Sequence, residues 1–172
     1  AAMAAEAGLR SGAGYVYLAA PGGIAAELTA AVPSAVLKLC GDSSRETLQE
    51  SDQVDTSVAN SLVIGPGLGE DASTLALVDQ LVTTTAVPTL IDADALHQHL
   101  PTPSREHSFS TEQWVLTPHP GEAARLLGLA GSADVEADRP AALGALVDKY
   151  GCTVLLKGAD TLIGAPGTEQ VS

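Results

Sequence analysis

Short apolar runs of four to six residues recur along this chain, and each runs straight into Gly, Asp, Pro or Lys. Candidate strands lie at 15–19, 35–39, 62–65, 89–92, 114–117, 153–157 and 161–164. Most are apolar at every position rather than at every second one. That is how a strand reads when helices cover both faces of its sheet. Amphipathic stretches at 2–11, 23–31, 71–84, 95–99, 121–127 and 140–150 read as helices between them. Gly and Pro punctuate the joints, at Pro21-Gly22-Gly23, Pro66, Pro88, Pro101, Pro103 and Gly128. The β-α-β-α order predicts an α/β fold with a mostly parallel sheet. Residues 101–111 read as a flexible loop, and 153–157 with 161–164 as a hairpin.

Composition narrows the function classes. The 172 residues carry 8 Lys plus Arg against 21 Asp plus Glu, a net charge of −13. Phosphate neutralisation needs clustered cations, so neither nucleic acid nor an anionic membrane surface is expected as a partner. A hydrophobic fraction of 45% excludes a disordered acidic tail, and aromatics at 3% leave the core to Ala, Val and Leu. No apolar run reaches the roughly 18–20 residues of a membrane span, and residues 1–10 lack a basic signal region. Cys40 and Cys152 lie far apart in apolar runs, which predicts two buried free thiols and no metal site. The cytoplasm is the default compartment. The chain begins inside a helical pattern and stops just after the hairpin, so a piece of a longer polypeptide is expected.

Four polar motifs stand at four strand ends, where open α/β sheets bind ligands. Gly65-Pro66-Gly67-Leu68-Gly69 follows the first. Gly67 and Gly69 can adopt positive φ and admit a ligand to the backbone, or simply make a tight turn. Asp71 or Ser73 can cap the next helix. Asp92-Ala93-Asp94 follows the second strand. If the strand continues, both carboxylates share one side, suited to a ribose, an amide or water-held Mg²⁺. Alternatively Asp94 caps a helix over 95–99. On that helix, His97 and His99 would point apart and bind no metal.

Thr117-Pro118-His119-Pro120-Gly121-Glu122 follows the third strand. Two prolines stiffen His119 for contact with a ligand, or make it a turn histidine. Glu122 and Arg125 are spaced for an ion pair along the following helix. Lys157-Gly158-Ala159-Asp160 follows the fourth strand, and Lys157 is one of only three lysines. A lysine there meets an anion such as phosphate, or reaches out to solvent.

The ordered set of Gly12-Ala13-Gly14, Gly65 to Gly69, Asp92 to Leu96, Thr117 to Glu122 and Lys157 to Ala159 resembles the ADP- or ATP-dependent NAD(P)H-hydrate dehydratases of the ribokinase-like superfamily. The resemblance covers nearly the whole chain. It implies a ribokinase-like three-layer sandwich, with helices on both faces of the sheet, forming one dehydratase domain over residues 1–172. It implies removal of water from hydrated NAD(P)H at the expense of ADP or ATP with Mg²⁺, by phosphorylation of the hydroxyl and loss of phosphate on the ATP route. The hydrated dinucleotide would contact Gly67, Gly69, Asp92, Asp94, His119, Pro120, Gly121, Glu122 and Arg125, with Ala1 at the edge of the match. Adenine nucleotide phosphates would lie on Lys157, Gly158, Ala159, Asp160 and Thr161. A homo-oligomer is expected by the same likeness.

The family pattern continues into Gly-Thr-Gly-Asp, the anion hole and the general base, which these residues do not contain. The resemblance places that base beyond Ser172, so the chain alone is expected to bind nucleotide weakly and to be impaired. Two alternatives remain at this point. One is a small-molecule kinase of the same superfamily, acting on a vitamin precursor or a sugar. The other is a non-catalytic nucleotide-binding remnant.

Overall fold

The computed structural model describes residues 1–103 and 109–168. Helices α1 (Ala2–Arg10), α2 (Ala25–Ala31), α3 (Ala72–Thr84), α4 (Pro120–Leu127), α5 (Ser132–Ala137) and α6 (Arg139–Tyr150) alternate with strands β1 (Tyr17–Pro21), β2 (Val36–Cys40), β3 (Leu62–Ile64), β4 (Thr89–Ile91), β5 (Trp114–Leu116), β6 (Thr153–Leu156) and β7 (Leu162–Gly164). The five-stranded sheet runs β3-β4-β5-β6-β7, while β1 and β2 pair in parallel as a separate two-stranded sheet. Strands β3 to β6 are parallel, and β7 returns antiparallel beside β6, the expected hairpin.

Register explains the core. Ile64, Ile91, Leu116, Val154 and Gly164 stand side by side across the sheet. All but the glycine belong to one buried cluster with Val78 and Val82 of α3, Leu126 of α4 and Leu143, Leu146 and Tyr150 of α6. Gly164 leaves room for α6, since a Cβ there would lie 3.2 Å from Leu143 and Val147. The alternate positions Val63, Leu90, Val115, Leu155 and Ile163 face the other way, Val115 standing beside Thr153 and Leu155 beside Ile163. Val63 and Ile163 are exposed, and the other three are half-buried. A smaller cluster of Cys40, Leu48 and Leu77 joins β2 to α3. Cys40 and Cys152 are buried free thiols, as the sequence predicts. No helix among the described residues is long and apolar enough to cross a membrane.

Three expectations need correction. The expected helix over 95–99 does not form; a 3-10 turn over Ala93–Ala95 replaces it. Ala93 adopts φ +50°, which ends both the strand and any smooth entry to a helix. Helix α5 was not expected, because its six residues bury only Val135. Strand β1 sits two residues later than the apolar run suggests. Of the loop 101–111, residues 104–108 lie outside the described set, as does 169–172 at the chain end.

Candidate functional site

The four motifs converge because four parallel strands end in register. The glycine loop after β3 turns with positive φ at Gly65 (+124°), Gly67 (+74°) and Gly69 (+83°). Asp71 then caps α3, its carboxylate accepting from Thr74 N at 3.1 Å. Ser73, the other cap candidate, instead accepts from Glu50 N at 3.0 Å. Gly65 packs directly against the Asp92 carbonyl, leaving no space for a side chain.

Asp92 and Asp94 do not share one side. The turn at Ala93 separates them. Asp92 Oδ1 accepts from Lys157 Nζ at 2.7 Å, while Asp94 Oδ2 accepts from Gly69 N at 2.9 Å. Asp94 therefore pins the glycine loop and caps no helix. Burial would raise the pKa of Asp92. The Lys157 ammonium and the adjacent Thr117 hydroxyl outweigh that and hold the carboxyl below its ordinary value. Thr117 Oγ1 is itself buried and makes no regular hydrogen bond.

His119 is the N-cap of α4. Its Nδ1 accepts from Gly121 N at 3.0 Å and Glu122 N at 3.3 Å. Both donors are N–H groups, so Nδ1 is the accepting nitrogen, and Nε2 lies 3.3 Å from Glu122 Oε1. Glu122 reaches back in turn and accepts from His119 N at 2.7 Å, completing a capping box. Pro120 supplies the first helical position. Glu122 is buried, and its Oε2 lies 3.8 Å from Lys157 Nζ. One ammonium thus stands between two carboxylates. Lys157 neither reaches freely to solvent nor waits unpaired for an anion.

The expected Glu122–Arg125 pair is absent among the described contacts. Arg125 instead donates to Glu70 Oε1 at 2.6 Å, tying α4 to the end of the glycine loop. The segment 157–161 joins β6 to β7, with Gly158, Ala159, Asp160 and Thr161 exposed. Arg139 closes this loop from behind, and sequence reasoning missed it. A signal existed: a cation in the first turn of a helix is electrostatically misplaced and needs a compensating partner. Glu70 was missed as well. His97 is buried and lies 2.8 Å from Asp79 of α3, a packing contact away from the crevice.

Among the described residues no three His, Cys, Asp or Glu side chains converge on a point where a metal could sit. The described residues thus show no cage of protein ligands for Mg²⁺. The arrangement suits anion binding on backbone N–H groups beside one lysine, with the half-buried Asp92 and the buried Glu122 holding that lysine in place.

The model of the NAD(P)H-hydrate dehydratase family matches residues 1–172. The chain belongs to that family. It is 42% identical over 164 residues to the bifunctional NAD(P)H-hydrate repair enzyme Nnr of Escherichia coli, covering 95% of this chain and 29% of that protein. It is 33% identical over 167 residues to the ADP-dependent (S)-NAD(P)H-hydrate dehydratase of Xanthomonas campestris, covering 95% of this chain and 55% of the relative. The chain thus spans under a third of the first kind of relative and about half of the second. The fold matches the ADP/ATP-dependent NAD(P)H-hydrate dehydratase of Bacillus subtilis with a TM-score of 0.74 at 23% identity, over 99% of this chain and 58% of that one. A ribokinase-like superfamily protein from Enterococcus faecalis matches with a TM-score of 0.72 at 25% identity, over 96% of this chain and 55% of that one. These likenesses support the expected α/β, ribokinase-like architecture.

Proposed function

We propose that this chain carries the substrate and nucleotide crevice of a hydro-lyase that removes water from hydrated NAD(P)H at the expense of ADP or ATP. The observation behind this reading is the convergence of Lys157, Asp92, Glu122 and His119 at adjacent strand ends, with Lys157 Nζ 2.7 Å from Asp92 Oδ1 and 3.8 Å from Glu122 Oε2. Relatives named as an NAD(P)H-hydrate repair enzyme and an NAD(P)H-hydrate dehydratase each match over 95% of this chain, which supports it further.

In this reading the dinucleotide lies along Gly67, Gly69, Asp94, His119, Pro120, Gly121 and Arg125, with Nε2 of His119 as a donor toward it. Phosphates rest on Lys157 to Thr161 and bring Mg²⁺ with them. ATP supplies a phosphoryl group to the ring hydroxyl. The carbon–oxygen bond then breaks, phosphate leaves with the electron pair, and the ring loses a proton to regain its double bond. The chain's residues bind, orient and exclude water. We assign no catalytic base within these 172 residues, which contain no Gly-Thr-Gly-Asp. We further propose that residues 1–172 belong to one domain, that the protein works in the cytoplasm, and that it self-associates.

The test incubates the chain with hydrated NADH and Mg²⁺, with ADP, with ATP and with neither, and follows NADH fluorescence. Nucleotide-dependent recovery supports the dehydratase reading. Nucleotide consumption with no NADH recovered favours a superfamily kinase instead.

A further inference from the structure

Arg139 stands first in α6, yet its guanidinium is turned back onto the 157–161 loop. Nη2 donates to the Asp160 carbonyl at 2.8 Å and approaches those of Leu156 at 3.3 Å and Lys157 at 3.4 Å. Nη1 meets both carboxylate oxygens of Glu136, at 3.3 and 3.4 Å. The side chain is only 17% exposed. Gly158 makes this approach possible, because a Cβ at 158 would lie 2.7 Å from Arg139 Cζ and closer still to its nitrogens.

The direction of those carbonyls matters. In a trans peptide the C=O and the N–H of the same unit point opposite ways. Leu156 O faces Arg139, and the Lys157 N–H of that peptide duly points the other way, to Pro118 O at 2.8 Å. Pro118 belongs to the His119 motif, so that side is the crevice. By the same rule, the N–H groups of Gly158 and Thr161 point away from the guanidinium, since the carbonyls of Lys157 and Asp160 face it. Among the described residues neither N–H is hydrogen-bonded. Two unpaired N–H groups in one short loop offer backbone donors to an anion.

We infer that Arg139 is a positioning residue for nucleotide binding: from behind the β6–β7 loop it draws the carbonyls of residues 156, 157 and 160 to itself and so presents the Gly158 and Thr161 N–H groups to phosphate. This rests on the reading of 157–161 as the nucleotide loop. The planar fork is the working part: Nη2 serves the three carbonyls while Nη1 rests on Glu136, a division of donors that a lysine ammonium does not fix.

The test titrates a fluorescent ATP analogue (mant-ATP) with Mg²⁺ into the 172-residue chain and into Arg139→Lys, Glu136→Gln, Gly158→Ala and Lys157→Ala variants, with a thermal melt of each. Arg139→Lys is expected to weaken binding about tenfold, the scale of one charge-assisted hydrogen bond, and to raise amide exchange across 157–161 in a chain that still melts cooperatively. Glu136→Gln is expected to bind as the parent does. Gly158→Ala, which displaces the guanidinium while leaving Arg139 present, is expected to reproduce the loss. Adding Arg139→Lys to it should cost nothing more. If Arg139→Lys binds within twofold of the parent while Lys157→Ala abolishes binding, the role of Arg139 falls and the nucleotide loop stands. If Lys157→Ala also binds normally, or the parent binds no nucleotide, both fall.

Discussion

Gly65 holds the crevice together at a single atom's width. It has φ +124°, and the Asp92 carbonyl occupies the place a side chain would take. Gly65→Ala is expected to cost roughly 3 kcal/mol or more, from backbone strain plus a clash with main chain that cannot swing aside, read as a lower urea midpoint. Gly69→Ala meets no neighbour within 4 Å and carries only the strain of φ +83°, so its midpoint should fall less. Asp92 gives a pH prediction. Its folded pKa lies below the ordinary value, through Lys157 and Thr117 acting against burial. Its contribution to stability is therefore present above the unfolded carboxylate pKa, about 4, and is lost as pH falls through the lower folded value. Asp92→Asn should flatten the decline of the urea midpoint below about pH 4, and an unchanged acid limb would refute the pairing. The residue types at the site were legible because Gly, Asp, His and Lys interrupt apolar runs. Their partners were not: Asp92 meets Lys157 across 65 positions and Arg125 meets Glu70 across 55, separations that no local pattern encodes.

At the scale of elements, α4 carries two duties in one turn. His119 caps the helix and faces the crevice. His119→Ala is expected to cost about 1 kcal/mol as a lost N-cap. His119→Asn, a good cap, should restore that stability without restoring dinucleotide binding. Paired melts and binding titrations separate the two roles; if Asn restored both, the ring itself would have no part in recognition. Leu143→Ala on α6, at a fully buried position, should cost about 2–5 kcal/mol. Strands were the readable elements, since short apolar runs leave few alternatives. The two longest helices, α3 and α6, were read to within one residue; their length marks them, and Asp71 and Asp138 cap their starts. The segment 95–99 misled because Leu96 and Leu100 look like a helical stripe. Both are buried, but as loop residues under the sheet ends, once Ala93 has turned the chain. Helix α5 escaped because it is six residues long, holds two acidic residues and buries one side chain.

For the whole molecule, the contrast between the two sheet faces sets behaviour in solution. One face is sealed by α3, α4 and α6, whereas Val63 at 55% and Ile163 at 42% exposure mark the other. A net charge of −13 opposes self-association through that face. Screening at high salt should therefore raise the apparent mass in light scattering, and Val63→Glu should prevent the rise. A constant monomer mass at every salt concentration would count against self-association. The two thiols offer a different view of the same architecture. Cys40 belongs to the small cluster beneath β1 and β2, and Cys152 to the main core. Burial pushes the Cys152 thiol up to about 12, so it barely ionises near neutrality and reacts only when the main core opens. Cys40 is also buried with a raised pKa, from burial first and the Asp52 charge second. Each cysteine is thus a native reporter of one half of the protein. The order in which they become labelled tells whether the two-stranded sheet breathes on its own or yields only when everything does.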